Sequence, residues 1–311
     1  MDIKKVSLIG LGAMGVFFAP RLQAALGDNF RVIAEGERKK RLEEKGVWVN
    51  GVNYHFPIVE PQEEGDPADL VIMAVKYPGL DKALADIKNQ VGENTLILCV
   101  MNGVDSEERA AAVYGWNRVL YSYMRINIVM RDGVAKEFDP NGGHVVFGEA
   151  KNQELSPRVL AVKEVFDQAE IPYRIEPDML RGLWFKFMCN VGENLTCALL
   201  GIPYGSFRVS EHANALRRAA MEEVMAVANA KGINLDKSDM ERQEEAIKRI
   251  TFHNKPSTLQ DLEAGKKTEI EMFAGKMISL GQELGIPTPL NWMFYQGIRV
   301  LEEKNQGVFE G

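Results

Sequence analysis

Two short constellations in this 311-residue chain combine residue types and spacings that chemistry can use. The first is Gly10-Leu11-Gly12-Ala13-Met14-Gly15, a GxGxxG pattern directly behind the apolar run Val6-Ser7-Leu8-Ile9. Each glycine serves a mechanical end, namely a tight turn, close backbone approach to a pyrophosphate, or close packing of helix on strand. A helix opening behind the pattern adds free N–H groups and the positive end of its dipole. The pattern alone is weak evidence. The strand before it and the helical spacing of Phe17, Phe18, Leu22 and Leu26 after it supply the context of a dinucleotide site.

The second constellation is Lys186, Asn190 and Asn194, spaced i, i+4, i+8 beside an apolar stripe that includes Leu183, Phe187, Val191 and Leu195. Those positions share one face of a helix. Asparagine is a poor helix former, so two in a helix interior are costly without a purpose. A lysine flanked by amides can hold an anionic or carbonyl oxygen and supply a proton. The alternative is a solvated helix face, and the segment by itself does not decide between the two.

Weaker signals accompany them. Glu35 lies about 20 residues past the glycine pattern, where a carboxylate hydrogen-bonds a ribose 2′-hydroxyl and so favours NAD. Arg38, Lys39, Lys40 and Arg41 follow at once, either embracing a 2′-phosphate or forming a solvated face. Lys76 and Asn102-Gly103 come just after the apolar runs 70–75 and 95–100, where open parallel sheets place ligands. Asn-Gly is also an ordinary turn dipeptide. Ser257 with Gln260, and Thr268 with Glu271, each fit a capping box, and the second predicts a helix running to Leu284. HExxH, CxxC and GxSxG do not occur, and His55, His144, His212 and His253 are scattered. Metal hydrolysis, thiol redox chemistry and serine nucleophiles therefore have no support.

The elements that must position these groups change rhythm midway. Strand and helix patterns alternate in the first half, which predicts a doubly wound parallel sheet. Asn50-Gly51 within residues 47–56 predicts a small antiparallel hairpin insertion, and residues 119–130 and 144–148 add β-like segments. Beyond Pro177 helical spacing takes over, including a long helix over 211–231 stopped by Gly232. The fold class expected is α/β, with a dinucleotide-binding domain over 1–176 and an all-helical substrate domain over 177–311.

Composition narrows the function further. With 46% hydrophobic and 26% charged residues the chain is an ordinary globular one. A net charge of −7 excludes the basic face of a nucleic-acid binder. Mean hydropathy is −0.18 and no apolar run approaches the ~20 residues of a membrane span, so no membrane partner is expected. The first residues run straight into a strand-like segment, leaving no room for a signal peptide. Cys99, Cys189 and Cys197 form an odd set without metal-ligand spacing. A cytoplasmic location is the expectation.

Taken together, the chain resembles the ketopantoate reductase (2-dehydropantoate 2-reductase) family over essentially its whole length. The matching pieces are GLGAMG at 10–15, AVK at 74–76, NG at 102–103, LWFKFMCNVGEN at 183–194 and STLQDLEAGKKTEI at 257–270. The resemblance implies a Rossmann-type first domain, a helical second domain, and reduction of a branched 2-keto acid in pantothenate synthesis. It implies Lys186 as general acid, Asn190, Asn194 and Ser257 as substrate ligands, and Asn102 and Glu269 at the nicotinamide side. Glu269 would either keep Lys186 charged or hold the nicotinamide ribose. NADPH is the implied cofactor, and a homodimer is an expected assembly. Two positions depart from the family pattern. Glu35 stands where an Arg commonly grips the 2′-phosphate, and Tyr204 follows Pro203 where some members carry a substrate-contacting Asn. Both departures also suit an NADH-dependent D-2-hydroxyacid dehydrogenase of the same superfamily. A non-catalytic dinucleotide sensor is the more distant alternative, and it would have no use for Lys186.

Overall fold

The computed structural model describes residues 2–126, 128, 130–131, 133–135 and 138–309. The chain divides between Leu180 and Arg181 into two compact units. Strands of the first unit begin with β1 (Val6–Ile9), β2 (Phe30–Ile33), β3 (Val47–Val49), β4 (Val52–Tyr54), β5 (Ile58–Val59) and β6 (Ala68–Met73). They continue with β7 (Val91–Cys99), β8 (Val119–Arg125), β9 (Met130–Arg131), β10 (Val134–Ala135), β11 (His144–Gly148) and β12 (Tyr173–Arg174). Helices α1 (Gly15–Leu26), α2 (Gly36–Lys45), α3 (Leu80–Asp86), α4 (Ser106–Tyr114) and α5 (Pro157–Gln168) lie among them.

Eight strands form the main sheet in the order β12-β11-β8-β7-β6-β1-β2-β5. From β8 through β5 every pair is parallel, whereas β11 lies antiparallel to β8. Successive side chains of β6 and β7 serve two different cores. Leu70, Ile72, Leu96 and Leu98 join Phe17, Phe18 and Leu22 of α1 in one cluster. Val71, Met73, Ile97 and Cys99 join Leu80, Ala83 and Leu84 of α3 in the other. Cover on both faces is why these strands read as unbroken apolar runs.

The Asn50-Gly51 hairpin forms between β3 and β4, with φ of 49° and 84° at the two turn residues. Positive φ at both is what a type I′ turn requires. The hairpin does not stand alone. β3 also pairs parallel with β10, and β10 antiparallel with β9, giving a second sheet of order β4-β3-β10-β9. The β-like segment expected over 119–130 therefore stops at Arg125, and Met130 belongs to this other sheet. Asn127 and Val129 of that expectation lie outside the described residues.

The second unit has no strand among its described residues. Its helices are α6 (Met179–Cys189), which crosses the division, α7 (Leu195–Leu200), α8 (Glu211–Ala230), α9 (Lys237–Ile247), α10 (Ser257–Glu263), α11 (Lys276–Leu284) and α12 (Pro289–Asn305). Trp184, Phe187 and Phe273 form a ring chain in its core, with centroids 5.8 and 6.1 Å apart.

Both expected capping boxes are corrected. Pro256 is the N-cap of α10, and Gln260 donates to the Lys255 carbonyl at 2.7 Å instead of reaching back to Ser257. With Pro256 at the N-cap, Ser257 is the first helical residue and is not at the position from which a side chain caps a helix. The Thr268 hydroxyl does accept the Ile270 N–H at 3.3 Å. Its reciprocal carboxylate is the buried Glu302 of α12, which accepts the Thr268 N–H at 2.7 Å, whereas Glu271 accepts the Tyr295 hydroxyl.

The first turn of α4 contains a buried carboxyl. Glu107 accepts the Ser122 N–H at 3.1 Å and the Ser106 hydroxyl at 2.9 Å. Burial nevertheless pushes its pKa up from 4.5 to about 7. A carboxyl with a folded pKa above its unfolded one loses stability as pH climbs from the unfolded value to the folded value. Glu107→Gln can accept the Ser122 N–H on its amide oxygen and donate its amide N–H to the Ser106 hydroxyl oxygen, without the charge. Its melting temperature relative to wild type is expected to rise between about pH 5 and about pH 8. A difference that stays flat in calorimetry across that range would contradict the buried ionisable carboxyl.

Candidate active site

β1 hands the chain to Gly10, which sits at φ +96° against the backbone of Ala74 just beyond β6. A Cβ at Gly10 would lie 2.5 Å from the Ala74 carbonyl, and one at Gly15 would collide with the Gly10 carbonyl oxygen. Gly12 is different, because a Cβ there meets no protein atom within 4 Å. Gly10 and Gly15 are thus required by the chain's own packing, while Gly12 leaves the open backbone a pyrophosphate approaches. No side chain caps α1, and in its first turn the Val16 and Phe17 N–H groups donate to the Gly12 and Met14 carbonyls at 3.0 and 3.2 Å, so what α1 offers an anion is the positive end of its dipole. Leu11, Ala13 and Met14 complete the turn, and the Leu11 carbonyl accepts the Arg38 guanidinium at 2.6 Å. These residues fit a dinucleotide.

Lys76 and Asn102 reach the same rim. β6 and β7 are neighbours with Met73 opposite Cys99, and each of the two residues lies three positions beyond its strand end. The loop after Lys76 is tied to the loop after Asn102 by the Tyr77 hydroxyl, which donates to Asp105 at 3.0 Å.

Glu35 follows the end of β2 and precedes the first residue of α2. Its carboxylate accepts Lys82 Nζ at 2.6 Å and Gln62 Nε2 at 2.8 Å. The Lys82 bond and then the Gln62 bond hold its pKa below the usual carboxylate range, so it is ionised at neutral pH. The basic run behind it is partly committed. Lys39 pairs with Glu60 at 2.5 Å and Lys40 with Glu37 at 2.9 Å.

In the second unit the helix carrying Lys186 is not uniform. α6 gives way to a π turn, Asn190–Asn194, before α7 resumes. The strict α-helical spacing expected through this region is therefore corrected. The departure preserves the stripe. Four α residues overshoot a full turn by about 40°, whereas four residues of the wider π turn fall short of one. The two errors oppose each other, bringing Asn194 back toward the direction of Lys186. Lys186 is 9% exposed and Asn194 6%, with Asn190 half-buried. A solvated helix face is thereby ruled out for Lys186 and Asn194.

Tyr204 closes on this stripe, its hydroxyl donating to Asn194 Oδ1 at 2.9 Å. Burial, with Glu193 adding to it, pushes the Tyr204 phenol well above its ordinary pKa, so it stays a donor. α10, with the exposed Ser257 in its first turn, packs against the π turn and α7. The half-buried Glu269 precedes a second π turn, Glu271–Gly275, that touches the first. The second unit thus gathers the segments carrying Lys186, Asn190, Asn194, Tyr204, Ser257 and Glu269. Lys76, Asn102, Glu35 and the glycine turn belong to the first unit.

Motif and spacing arguments pass over one group. Glu193, inside the π turn, accepts Arg217 Nη1 at 3.2 Å and Gln243 Nε2 at 2.9 Å, all three residues being buried. A signal was present, since Glu193 is the only charged residue between Lys186 and Arg208. All three cysteines are buried and none is in a disulfide, with Cys197 pushed up to about 12 by burial.

Residues 6–152 match the family model of ketopantoate reductase PanE/ApbA, and residues 178–302 match that of its C-terminal part. The 2-dehydropantoate 2-reductase of Aquifex aeolicus is 27% identical over 96% of this chain and 97% of its own length. A solved PanE/ApbA family ketopantoate reductase from Ralstonia eutropha aligns with a TM-score of 0.80 at 26% identity, covering 97% of this chain and 99% of that one. D-mandelate dehydrogenase, solved with NADH and anilino(oxo)acetate, aligns at 0.85 with 22% identity over 97% of this chain and 99% of that one, a likeness of fold. With both halves matched in order along one sequence, the chain belongs to the ketopantoate reductase family and is a nicotinamide-dependent oxidoreductase.

Proposed function

We propose that this enzyme reduces the ketone of ketopantoate or a similar branched 2-keto acid, with Lys186 as general acid. The observation that carries this reading is the burial of Lys186 and Asn194 on one helix, with Tyr204 fixing the asparagine. When bound, the reduced dinucleotide supplies the hydride. Negative charge develops on the substrate's carbonyl oxygen as its carbon is reduced. The Lys186 ammonium stabilises that charge and transfers a proton to the oxygen, giving the hydroxyl. With Oδ1 engaged by Tyr204, Asn194 has its Nδ2 hydrogens to offer a substrate oxygen. Asn190 orients the substrate hydroxyl or carbonyl, and Ser257 donates to its carboxylate. Gly10 to Gly15 hold the pyrophosphate, Asn102 and Glu269 lie at the nicotinamide side with Lys76 a further cofactor contact, and Glu35 holds the adenine ribose.

A second reading, an NADH-dependent D-2-hydroxyacid dehydrogenase, draws on Glu35 and Tyr204. The ionised Glu35 repels a 2′-phosphate, and Lys39 and Lys40 already face carboxylates. These observations favour NADH over the NADPH implied by the family resemblance. Oxidation of NADH and NADPH against a panel of 2-keto acids that includes ketopantoate separates the readings. No turnover with any of them would sink both.

Three outcomes are expected. Lys186→Ala lowers turnover by roughly two to four orders of magnitude, the usual worth of a positioned acid, with dinucleotide affinity nearly unchanged. Near wild-type turnover would remove Lys186 from the chemistry.

Tyr204→Phe frees the Asn194 amide to rotate and leaves its oxygen without the phenol. A lost partner of this kind costs about 1–3 kcal/mol, so the Michaelis constant for the keto acid is expected to rise about tenfold. Weakened dinucleotide binding with unchanged keto-acid affinity would assign the pair to the cofactor instead.

Glu35→Arg is expected to raise the NADPH-to-NADH ratio of kcat/KM at least tenfold, about 1.4 kcal/mol. Both proteins are compared at one ionic strength, because exposed charges are screened. If wild type strongly prefers NADPH and the substitution leaves the ratio unmoved, Glu35 does not face the ribose.

A further inference from the structure

The π turn Asn190–Asn194 is fastened to the rest of the second unit through Glu193 as well as through the Asn194 contact with Tyr204. Glu193 takes Arg217 Nη1 of α8 at 3.2 Å and Gln243 Nε2 of α9 at 2.9 and 3.0 Å. Arg217 is 1% exposed and Glu193 4%. Each of the other two guanidinium nitrogens also has a partner, with Asn214 Oδ1 at 3.0 Å on Nε and Glu244 Oε1 at 3.4 Å from Nη2. Gly192 presses the same turn on α8, since a Cβ there would lie 2.6 Å from Met221 Cγ.

Stability is a poor reason for such a pair. Taking both charges out of water costs several kcal/mol per ion, and apolar residues of like volume are often as stable. In some proteins a buried ion pair fixes one geometry where apolar side chains would accept several. π turns are themselves rare and concentrate at functional sites. Here the fixed geometry is the one that turns Asn194 back into line with Lys186.

We propose that Glu193 and Arg217 are a positioning pair for the reaction: they hold the π turn in the register that aims Asn190 and Asn194 beside Lys186. This rests on the reading of Lys186 and its asparagines as substrate machinery. Neither charge touches the substrate in this account. Their effect passes through the turn.

The test replaces both charges at once, in Glu193→Leu/Arg217→Met, and compares the full-length enzyme with wild type and Lys186→Ala. The expected result is a folded protein of similar melting temperature and dinucleotide affinity. Its kcat/KM for the keto acid falls at least about tenfold, because displacements near 1 Å at a reacting centre can cost ~10²-fold. A folded double variant with wild-type kcat/KM overturns the proposal. Should the double variant not fold, Glu193→Asp retains both charges but shortens the tether by one methylene. It is expected to raise the keto-acid KM and lower kcat while leaving dinucleotide affinity and melting temperature in place. Unchanged constants in that variant overturn the proposal as well. If Lys186→Ala is impaired and the pair variants are not, only the positioning role fails. If Lys186→Ala is also unimpaired, the functional reading fails and this inference falls with it.

Discussion

Burying polar groups in the middle of an apolar helix is the constraint around which the second unit is built. Between Trp184 and Leu200 the helix carries Lys186, Glu193 and Asn194 with side chains almost wholly removed from water. Each needs partners, and the partners dictate the surrounding elements. Glu193 requires a cation on α8 and an amide on α9, and Asn194 requires a phenol just beyond α7. Gly192 exists so that α8 can come close enough. A single interrupted helix thus sets where α8, α9 and the Tyr204 segment must lie.

The first unit depends on a constraint of the opposite kind, the absence of side chains. The exit of β1 lies so near the exit of β6 that only glycine fits at position 10, and Gly15 lies against the turn itself. With that packing fixed, Gly12 is left open and the uncapped start of α1 stands behind it. The sheet order carries Lys76 and Asn102 to the same rim, because β6 and β7 follow β1 in the sheet. Binding capacity at this edge comes from backbone geometry, which is why a short glycine pattern could announce it.

The legible and illegible parts of the sequence divide along that line. Period-two and period-3.6 patterns disclose which face of each element is buried, so the parallel sheet, the Asn50-Gly51 hairpin and the helical second half were readable. The π turn was not, because Lys186, Asn190 and Asn194 suit a regular α-helix equally well on paper. Only tertiary partners reveal that the helix widens there. The two capping boxes failed for a related reason. Thr268 finds its carboxylate in Glu302, 34 residues away, and local spacing cannot see such a partner. Of the buried pair, Glu193 was visible as a lone charge among apolar residues, while Arg217 sits in a helix with other charges and carries no mark of burial.

The family's fold and this chain's departures from its pattern can be reconciled by where each departure acts. Glu35 stands at the end of β2, where Lys82 and Gln62 hold its carboxylate. On the proposed reading, a change there would alter what the adenosine end accepts. Tyr204 lies outside the interrupted helix and meets it through one hydrogen bond, so it alters how Asn194 is presented without moving Lys186. On that reading, selectivity for cofactor and selectivity for substrate rest on two positions in different units. The glycine contacts and the buried polar helix are each tied to several partners at once. On the proposed reading, the same scaffold would serve one reduction with different dinucleotides and different branched acids.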